Sequence, residues 1–140
     1  MRMRMPGIDS FPEAPESFIP GRYLFQIKGY EFATSKDART YVKVTMLIEE
    51  GPTKTASNGE QVDYEGREFT HLFWEIPEYG EDWKIEQAQR QAGNFLTSFE
   101  IPFDEDGFDW DDTIGARAWA QLGPQKRNPE MMEVKRFEKA

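Results

Sequence analysis

The chain has 140 residues, a formal net charge of −9 and no cysteine, and 14% of its residues are aromatic. This length indicates one domain that can bury a core without disulfides, and the lack of cysteine excludes disulfide and thiolate chemistry. No apolar run approaches the ~18 residues of a membrane span. Residues 1–6 have two arginines but no apolar stretch behind them, so we expect no secretory signal and a cytoplasmic location.

The negative charge is concentrated in one segment of the chain. Residues 100–112 contain seven carboxylates and no cation, and the rest of the chain carries a net charge of only −2. Net acidity argues against a nucleic-acid partner, but binding depends on where the charges lie. Other surfaces of the protein can therefore be locally basic.

The N-terminal stretch is aperiodic. Residues 1–20 contain four prolines, and proline fixes φ and removes a backbone donor. We therefore predict a flexible N-terminal arm over residues 1–20, attached to the body by Phe11 and Phe18. The domain itself is predicted to span residues 21–140.

Residues 21–50 have the alternating pattern of a long β-hairpin around a polar loop. Tyr23, Phe25 and Ile27 alternate with other side chains in the first run, and four aliphatic residues alternate in the second. Because successive strand side chains point to opposite faces, one face of the hairpin is predicted to be buried. The opposite face is predicted to carry aromatic and cationic residues, namely Lys28, Tyr30, Tyr41 and Lys43.

A polar connection and a third strand follow the hairpin. Residues 51–66 are polar and contain an Asn58-Gly59 turn signal, which can form a small hairpin of its own. Residues 67–76 alternate again and predict the third strand, which ends before Pro77.

One helix and two further strands complete the domain. Apolar residues recur at spacings of three and four over residues 81–100, which predicts an amphipathic helix. Residues 116–122 and 131–137 predict the last two strands. Phe95 and Phe99 of the helix, with Tyr23 and Phe25, are assigned to the core.

The predicted order is strand, strand, strand, helix, strand, strand. This is the element order of the OB-fold, a five-stranded, partly open barrel. The helix falls between strands three and four, as it does in that fold. The sequence therefore predicts a mostly β protein with an OB-fold-like barrel, and an open α+β sheet is the alternative.

The chain resembles a family of phage-encoded single-stranded-DNA-binding proteins with an OB-fold. The matching pieces are PESFIPGRYLFQIKGYEF, TYVKVTMLIEEGP, GREFTHLFW, the helix, and IGARAWAQLG followed by MEVKRF, within residues 15–137. The resemblance implies sequence-tolerant binding of single-stranded DNA in phage DNA replication or recombination, in the host cytoplasm. We expect replication or recombination proteins, or a second copy of the chain, as protein partners. Many proteins with this role end in an acidic, aromatic tail, whereas this chain ends in EVKRFEKA.

Sequence-tolerant binding of single strands needs cations along the phosphates and exposed aromatic rings beneath the bases. In the OB-fold, strands two and three and the loops between strands one–two and four–five supply these groups. Each of those two loops carries a basic pair in this acidic protein. The predicted nucleic-acid-binding residues are Lys36, Arg39, Tyr41, Lys43, Phe73, Arg117, Trp119, Lys126 and Arg127.

The acidic segment leaves other functions open. In an acidic phage protein that inhibits or docks on a host enzyme, the partner-binding residues would be Asp104, Asp106, Asp109 and Asp111. A structural virion protein is a third possibility, because it would use the same barrel for assembly. Clustering of the cations on one side of the fold would favour the DNA-binding function.

No enzyme, cofactor or metal site is predicted. His71 is the single histidine and lies in a strand among apolar residues, and the chain has no nucleophile–base spacing and no glycine-rich phosphate loop. When Gly107 is aligned with the glycine of a calcium-binding loop, the acids that the pattern requires at its two ends are missing.

Overall fold

The computed structural model of the protein describes residues 18–55, 59 and 61–140. The prediction for residues 1–17 of the arm, including Phe11, lies outside these ranges. The elements are β1 (Gly21–Thr34), β2 (Thr40–Glu50), β3 (Thr53–Thr55), β4 (Gln61–Asp63), β5 (Glu68–Trp74), α1 (Asp82–Ser98), β6 (Arg117–Pro124) and β7 (Met132–Lys139). The mostly β prediction with a single long helix is confirmed for this part of the chain.

Five strands form one antiparallel sheet in the order β5-β2-β1-β6-β7. The short strands β3 and β4 pair separately in the polar connection, where a small hairpin was predicted. Asn58 of the predicted turn lies outside the described residues. No helix within the described ranges has the length and apolarity needed to cross a membrane.

The sheet coils so that its two edges, β5 and β7, approach each other. His71 of β5 pairs with Val44 of β2, which pairs with Tyr30 of β1. On the other side, Phe137 of β7 pairs with Ala120 of β6, which pairs with Tyr23 of β1. The rings of His71 and Phe137 nevertheless lie 5.1 Å apart. The two rings therefore meet although they are aligned with residues of β1 that lie about seven positions apart. Strands that tilt towards barrel closure acquire such a stagger. Within the described residues the sheet is open between β5 and β7.

Aromatic rings fill the inner face of the coiled sheet. Phe95 of α1 is almost fully buried and contacts Phe99 (5.0 Å between centroids), Phe73 (5.1 Å) and Phe137 (5.5 Å). The core assignments are confirmed, because the four residues concerned are at most 3% exposed: Tyr23, Phe25, Phe95 and Phe99.

The last residues of the predicted arm pack on this core. Phe18 contacts Phe69 and Tyr64, with centroids 5.4 Å and 5.8 Å away. The Tyr23 hydroxyl donates to the Ile19 carbonyl oxygen at 2.7 Å, and burial raises the pKa of Tyr23 to about 12. The chain is therefore anchored at Phe18, three residues before β1 begins.

Asn94 of α1 covers part of the exposed edge of β7. Its Nδ2 donates to the Phe137 carbonyl oxygen at 2.9 Å, and the Phe137 N–H donates to its Oδ1 at 2.8 Å. One side chain thus satisfies both backbone groups that a neighbouring strand would otherwise pair. At this point the helix takes the place of a sixth strand.

A β-bulge in β1 changes which aromatic residues face outward. The register shifts at Lys28, which has no partner in β2. An extra residue inverts the alternation beyond it, so Tyr30 lies opposite the buried Val44. Tyr30, which was predicted to share the outer face with Tyr41 and Lys43, is therefore on the inner face.

Candidate nucleic-acid interface

An aromatic–cation cluster lies on the outer face of β2 and β5, beside the β1–β2 turn. Tyr41 and Trp74 are cross-strand partners whose ring centroids lie 4.8 Å apart. The Arg39 guanidinium lies over the Trp74 ring, 4.7 Å from its centroid. Trp74 is still 38% exposed. The three residues Arg39, Tyr41 and Trp74 are termed the Trp74 cluster.

The tight β1–β2 turn places Arg39 over the tryptophan. The Ser35 N–H donates to the Arg39 carbonyl oxygen at 2.9 Å, and the Arg39 N–H donates to Ser35 Oγ at 3.2 Å. Ala38 adopts a left-handed backbone with φ of 59°, which lets the chain reverse within five residues. Lys36 is exposed in the same turn.

The outer face beside the Trp74 cluster carries both apolar and charged groups. Lys43 is exposed and lies opposite Leu72 of β5, which is 43% exposed. On its other side Lys43 lies opposite Glu31 of β1. The surface therefore offers apolar contact and a cation, with one carboxylate nearby that reduces the local positive potential.

A second aromatic–cation pair lies on the outer face of β1 and β6. The Arg22 guanidinium is 4.3 Å from the centroid of the Trp119 ring. Arg22 and Arg136 both form ion pairs with Glu138, at 3.1 Å and 2.7 Å. Trp119 faces outward, opposite in direction to its fully buried alanine neighbours, as the alternation predicts.

The two stacked arginines differ in how firmly they are held. Arg22 has a carboxylate partner, whereas no described carboxylate lies within ion-pair distance of Arg39. The Arg39 guanidinium can therefore leave the Trp74 ring without breaking an ion pair to the described part of the protein.

Two of the predicted binding residues have other contacts. Arg117 Nε donates to Glu49 Oε2 at 2.7 Å, so its charge is largely balanced within the sheet. Phe73 points inward, and its ring packs against Phe95 and Trp110 with centroids 5.1 Å and 5.2 Å away. Neither side chain presents a free group on the outer face of β2 and β5.

The two predicted basic loops lie at opposite ends of β1. Leu122 pairs with Gly21 at the start of β1, and Lys126 and Arg127 follow in the β6–β7 turn. The turn that carries Lys36 follows the other end of this 14-residue strand. At ~3.3 Å per residue, the path along the strand is about 45 Å. The cations thus form two groups, of which one adjoins the Trp74 cluster.

The acidic segment packs against the inner side of the β1–β2 hairpin. The Trp110 ring contacts Tyr30 and Phe32, with centroids 5.5 Å and 6.4 Å away. The Tyr30 hydroxyl donates to Asp111 Oδ1 at 2.6 Å, and this hydrogen bond raises the pKa of Tyr30. Because Tyr41 projects from the outer face, the hairpin separates this segment from the Trp74 cluster.

The predicted partner-binding carboxylates also shape their own segment. Asp104 Oδ1 accepts the Asp106 N–H at 2.9 Å, and Asp109 Oδ1 accepts the Asp111 N–H at 2.9 Å. These are Asx turns, in which a carboxylate oxygen replaces a backbone acceptor. All four aspartates are exposed, and the described residues contain no group of three or more potential ligands placed to hold a metal ion.

His71 lines a cleft of about 350 Å³ between β5, β7 and α1. Its ring contacts Phe137 at 5.1 Å and Phe95 at 6.1 Å. Burial lowers the pKa of His71 to about 4, so the imidazole is neutral at pH 7. These aromatic surroundings are those of a packing residue.

We expect His71 to make the protein sensitive to acid. The unfolded chain binds a proton near the ordinary pKa of about 6.5, whereas the folded protein does so only near pH 4. Above about pH 6.5 the imidazole is neutral in both states and does not affect the free energy of unfolding. As the pH falls towards 4, protonation of the unfolded chain lowers the free energy of unfolding by roughly 2–3 kcal/mol. Urea unfolding of the wild type and of His71→Phe at several pH values measures this pH-dependent loss of stability. An identical pH dependence in both proteins would contradict this role.

Sequence reasoning missed Trp74, although a signal for it was present. Phe69 and Phe73 face inward in β5, and alternation along the strand therefore places the next residue, Trp74, on the outer face. Its pairing with Tyr41 needed the register between β2 and β5, which one sequence does not supply.

Comparison with known proteins adds no further assignment. No family model matches the chain, and no curated protein matches it. The function is therefore inferred from the residues of the site and from the fold that positions them.

Proposed function

We propose that the protein binds single-stranded DNA with little sequence preference through the Trp74 cluster, on an OB-fold-like barrel. The observation that carries the proposal is the Arg39 guanidinium, which has no ion-pair partner among the described residues and lies over the partly exposed Trp74 ring beside Tyr41. Aromatic platforms with nearby cations are the groups by which proteins bind single strands of any sequence.

A stacked guanidinium occupies the space that a nucleobase needs. Both groups are planar, and both are attracted to the face of an indole ring. When a base takes this position on Trp74, Arg39 is released to pair with an adjoining phosphate. Every base has a π face, so this exchange selects for single strands without selecting a sequence.

The cations around the cluster supply the phosphate contacts. Lys36 in the β1–β2 turn and Lys43 on β2 flank the aromatic pair and are exposed. Their contribution is electrostatic and comes from the release of counterions from the nucleic acid. Bases stacked inside a duplex are not accessible to Trp74, which is why we propose single strands as the ligand.

The position of the cluster on the sheet agrees with an OB-fold. β2 and β5 are the second and third long strands, and their outer face corresponds to the ligand face of that fold. The stagger between β5 and β7 supports a partly open barrel. We further propose phage DNA replication or recombination in the host cytoplasm as the setting, with proteins of those processes as partners.

A gel-shift titration with oligo-dT and with its duplex, at several salt concentrations, tests the proposal. We expect the single strand to bind and the duplex to bind much more weakly. The log–log salt slope should be about −0.7 per phosphate, so Lys36, Arg39 and Lys43 together predict roughly −2. A steeper slope of roughly −3.5 would indicate that Lys126 and Arg127 also bind the strand.

Three outcomes of this titration would contradict binding of single strands by the Trp74 cluster. Equal affinity for single and double strands would exclude base stacking as the source of binding. A salt-independent affinity would show that the cations do not contact phosphates. If neither strand binds, the acidic interaction protein remains as the alternative, with Asp104, Asp106, Asp109 and Asp111 as its predicted partner-binding residues.

A further inference from the structure

Two arginines converge on one carboxylate beside the Trp119 ring. Arg22 of β1 and Arg136 of β7 pair with the two oxygens of Glu138, at 3.1 Å and 2.7 Å. The same Arg22 guanidinium lies 4.3 Å from the centroid of the Trp119 ring. The register accounts for this convergence, because Trp119 lies directly opposite Glu138 and cross-strand partners share one face of the sheet. The residues Arg22, Trp119, Arg136 and Glu138 are termed the Trp119 cluster.

The Trp119 cluster contains the groups of the Trp74 cluster together with an anion. In both clusters an arginine lies over an indole ring, and the Trp119 cluster adds a second guanidinium. Guanidinium groups bind the oxygens of carboxylates and of phosphates in the same way. The Glu138 carboxylate therefore occupies the position between two arginines in which a phosphate of a nucleic acid would fit.

We propose that the Trp119 cluster is a second subsite for one base and its adjoining phosphate, and that Glu138 competes with the phosphate for this subsite. The inference rests on the proposed binding of single-stranded DNA and adds an internal competitor to it. A phosphate that replaces the Glu138 carboxylate draws the Arg22 guanidinium off the indole, and a base stacks on the exposed Trp119 ring. Because neither group reads the edge of a base, the second subsite is as tolerant of sequence as the first.

The ion pairs of the Trp119 cluster are exposed enough to be exchanged. The side chains of Arg22, Arg136 and Glu138 are 52%, 69% and 36% exposed. Ion pairs at this exposure contribute little net stability, because water and salt screen them. The remaining obstacle to a phosphate is its repulsion by the Glu138 carboxylate. Removal of this one negative charge should therefore strengthen the binding of single-stranded DNA.

The two clusters lie on the same outer face of the sheet but far apart. Trp119 lies opposite Leu24 of β1, whereas Tyr41 of the Trp74 cluster lies opposite Ala33, nine positions farther along this strand. At ~3.3 Å per residue, the separation along β1 is about 30 Å. Site sizes of OB-folds range from about 4 to 16 nucleotides, so we expect the shortest strands to occupy one cluster and the longest to reach both. A strand bound at Trp74 then meets the Trp119 cluster intramolecularly.

Glu138→Gln in the full chain tests the second subsite, because it removes the competing charge and keeps the size of the side chain. With oligo-dT of about 16 nucleotides, we expect Kd to fall about tenfold, within the range for one stacked base. With about four nucleotides, Kd should stay within about twofold of the wild type. Glu133→Gln is the matched control, because Glu133 lies on the same strand and pairs with Lys135 at 2.7 Å. It removes the same charge but should shift neither Kd by more than about twofold. Anisotropy of labelled oligo-dT measures both affinities.

The double variant W119A/E138Q locates the added affinity. It should bind the longer strand no more tightly than W119A does, since coupled residues are not additive. A gain that persists without the indole, or one of equal size for both strand lengths, would be an effect of charge alone and would overturn the second subsite. If the wild type binds both strands and E138Q does not differ from E133Q, the subsite is overturned while the proposed function stands. If neither the wild type nor E138Q binds either strand, the proposed function is overturned together with the subsite.

Discussion

Replacing Trp74 with alanine is expected to weaken binding of oligo-dT by about 1–3 kcal/mol, the range for one stacked base. Trp74 lies on the outer face and is 38% exposed, so its removal should lower the melting temperature much less than removal of a buried aromatic ring. Fluorescence titration with oligo-dT measures the affinity, and thermal unfolding of the same sample measures the stability. A loss of affinity in a protein that remains fully folded at the temperature of the titration is the expected result.

Two other tryptophans provide controls for this substitution. Trp83, in the first turn of α1, is 60% exposed and lies outside the Trp74 cluster, so Trp83→Ala should leave affinity unchanged. Trp119 was predicted to stack on a base, but its ring lies beneath Arg22, which Glu138 holds by an ion pair. Trp119→Ala should therefore weaken binding less than Trp74→Ala. Equal losses in all three variants would argue against a specific platform at Trp74.

Replacing Phe95 with alanine is expected to reduce the free energy of unfolding by about 3–5 kcal/mol. The ring is 1% exposed and connects α1 to both edges of the open sheet through His71 and Phe137. Truncation would leave a cavity at the point where the helix closes the coil. Urea denaturation monitored by circular dichroism measures the loss.

Phe103 is the matched control for Phe95, because it is a phenylalanine that is 56% exposed. Phe103→Ala should change stability by less than about 0.5 kcal/mol, as surface substitutions usually do. If Phe95→Ala costs no more than Phe103→Ala, α1 does not pack on the sheet in solution. In that case the stagger between β5 and β7 would have no structural support from the helix.

Local periodicity predicted the elements because burial imposes it on the sequence. The alternating aliphatic residues of β2 are all buried, as are the predicted core aromatics Tyr23, Phe25, Phe95 and Phe99. The outward position of Trp119 follows from the same alternation, since small residues occupy the crowded inner face. Turn chemistry likewise predicted the hairpin between residues 51 and 66, and it formed as β3 and β4.

Long-range register was beyond the reach of such patterns. The bulge at Lys28 moved Tyr30 to the inner face, and one extra residue leaves almost no trace in composition or period. The pairing of Tyr41 with Trp74, and of Arg117 with Glu49, depends on which residues of separate strands are adjacent. The distance between the two basic loops depends on the length of β1 and on where β6 pairs with β1. The sequence shows the length of β1 but not the position at which β6 pairs.

The sequence by itself thus determined where the long strands and the helix lie and that Tyr23, Phe25, Phe95 and Phe99 are core residues, because these follow from the spacing of apolar side chains a few residues apart. The tertiary structure alone decided which exposed aromatic and cationic groups meet, because those contacts join residues tens of positions apart. Arg39 and Tyr41 were recognisable individually, but they became a candidate site only when β5 placed Trp74 between them.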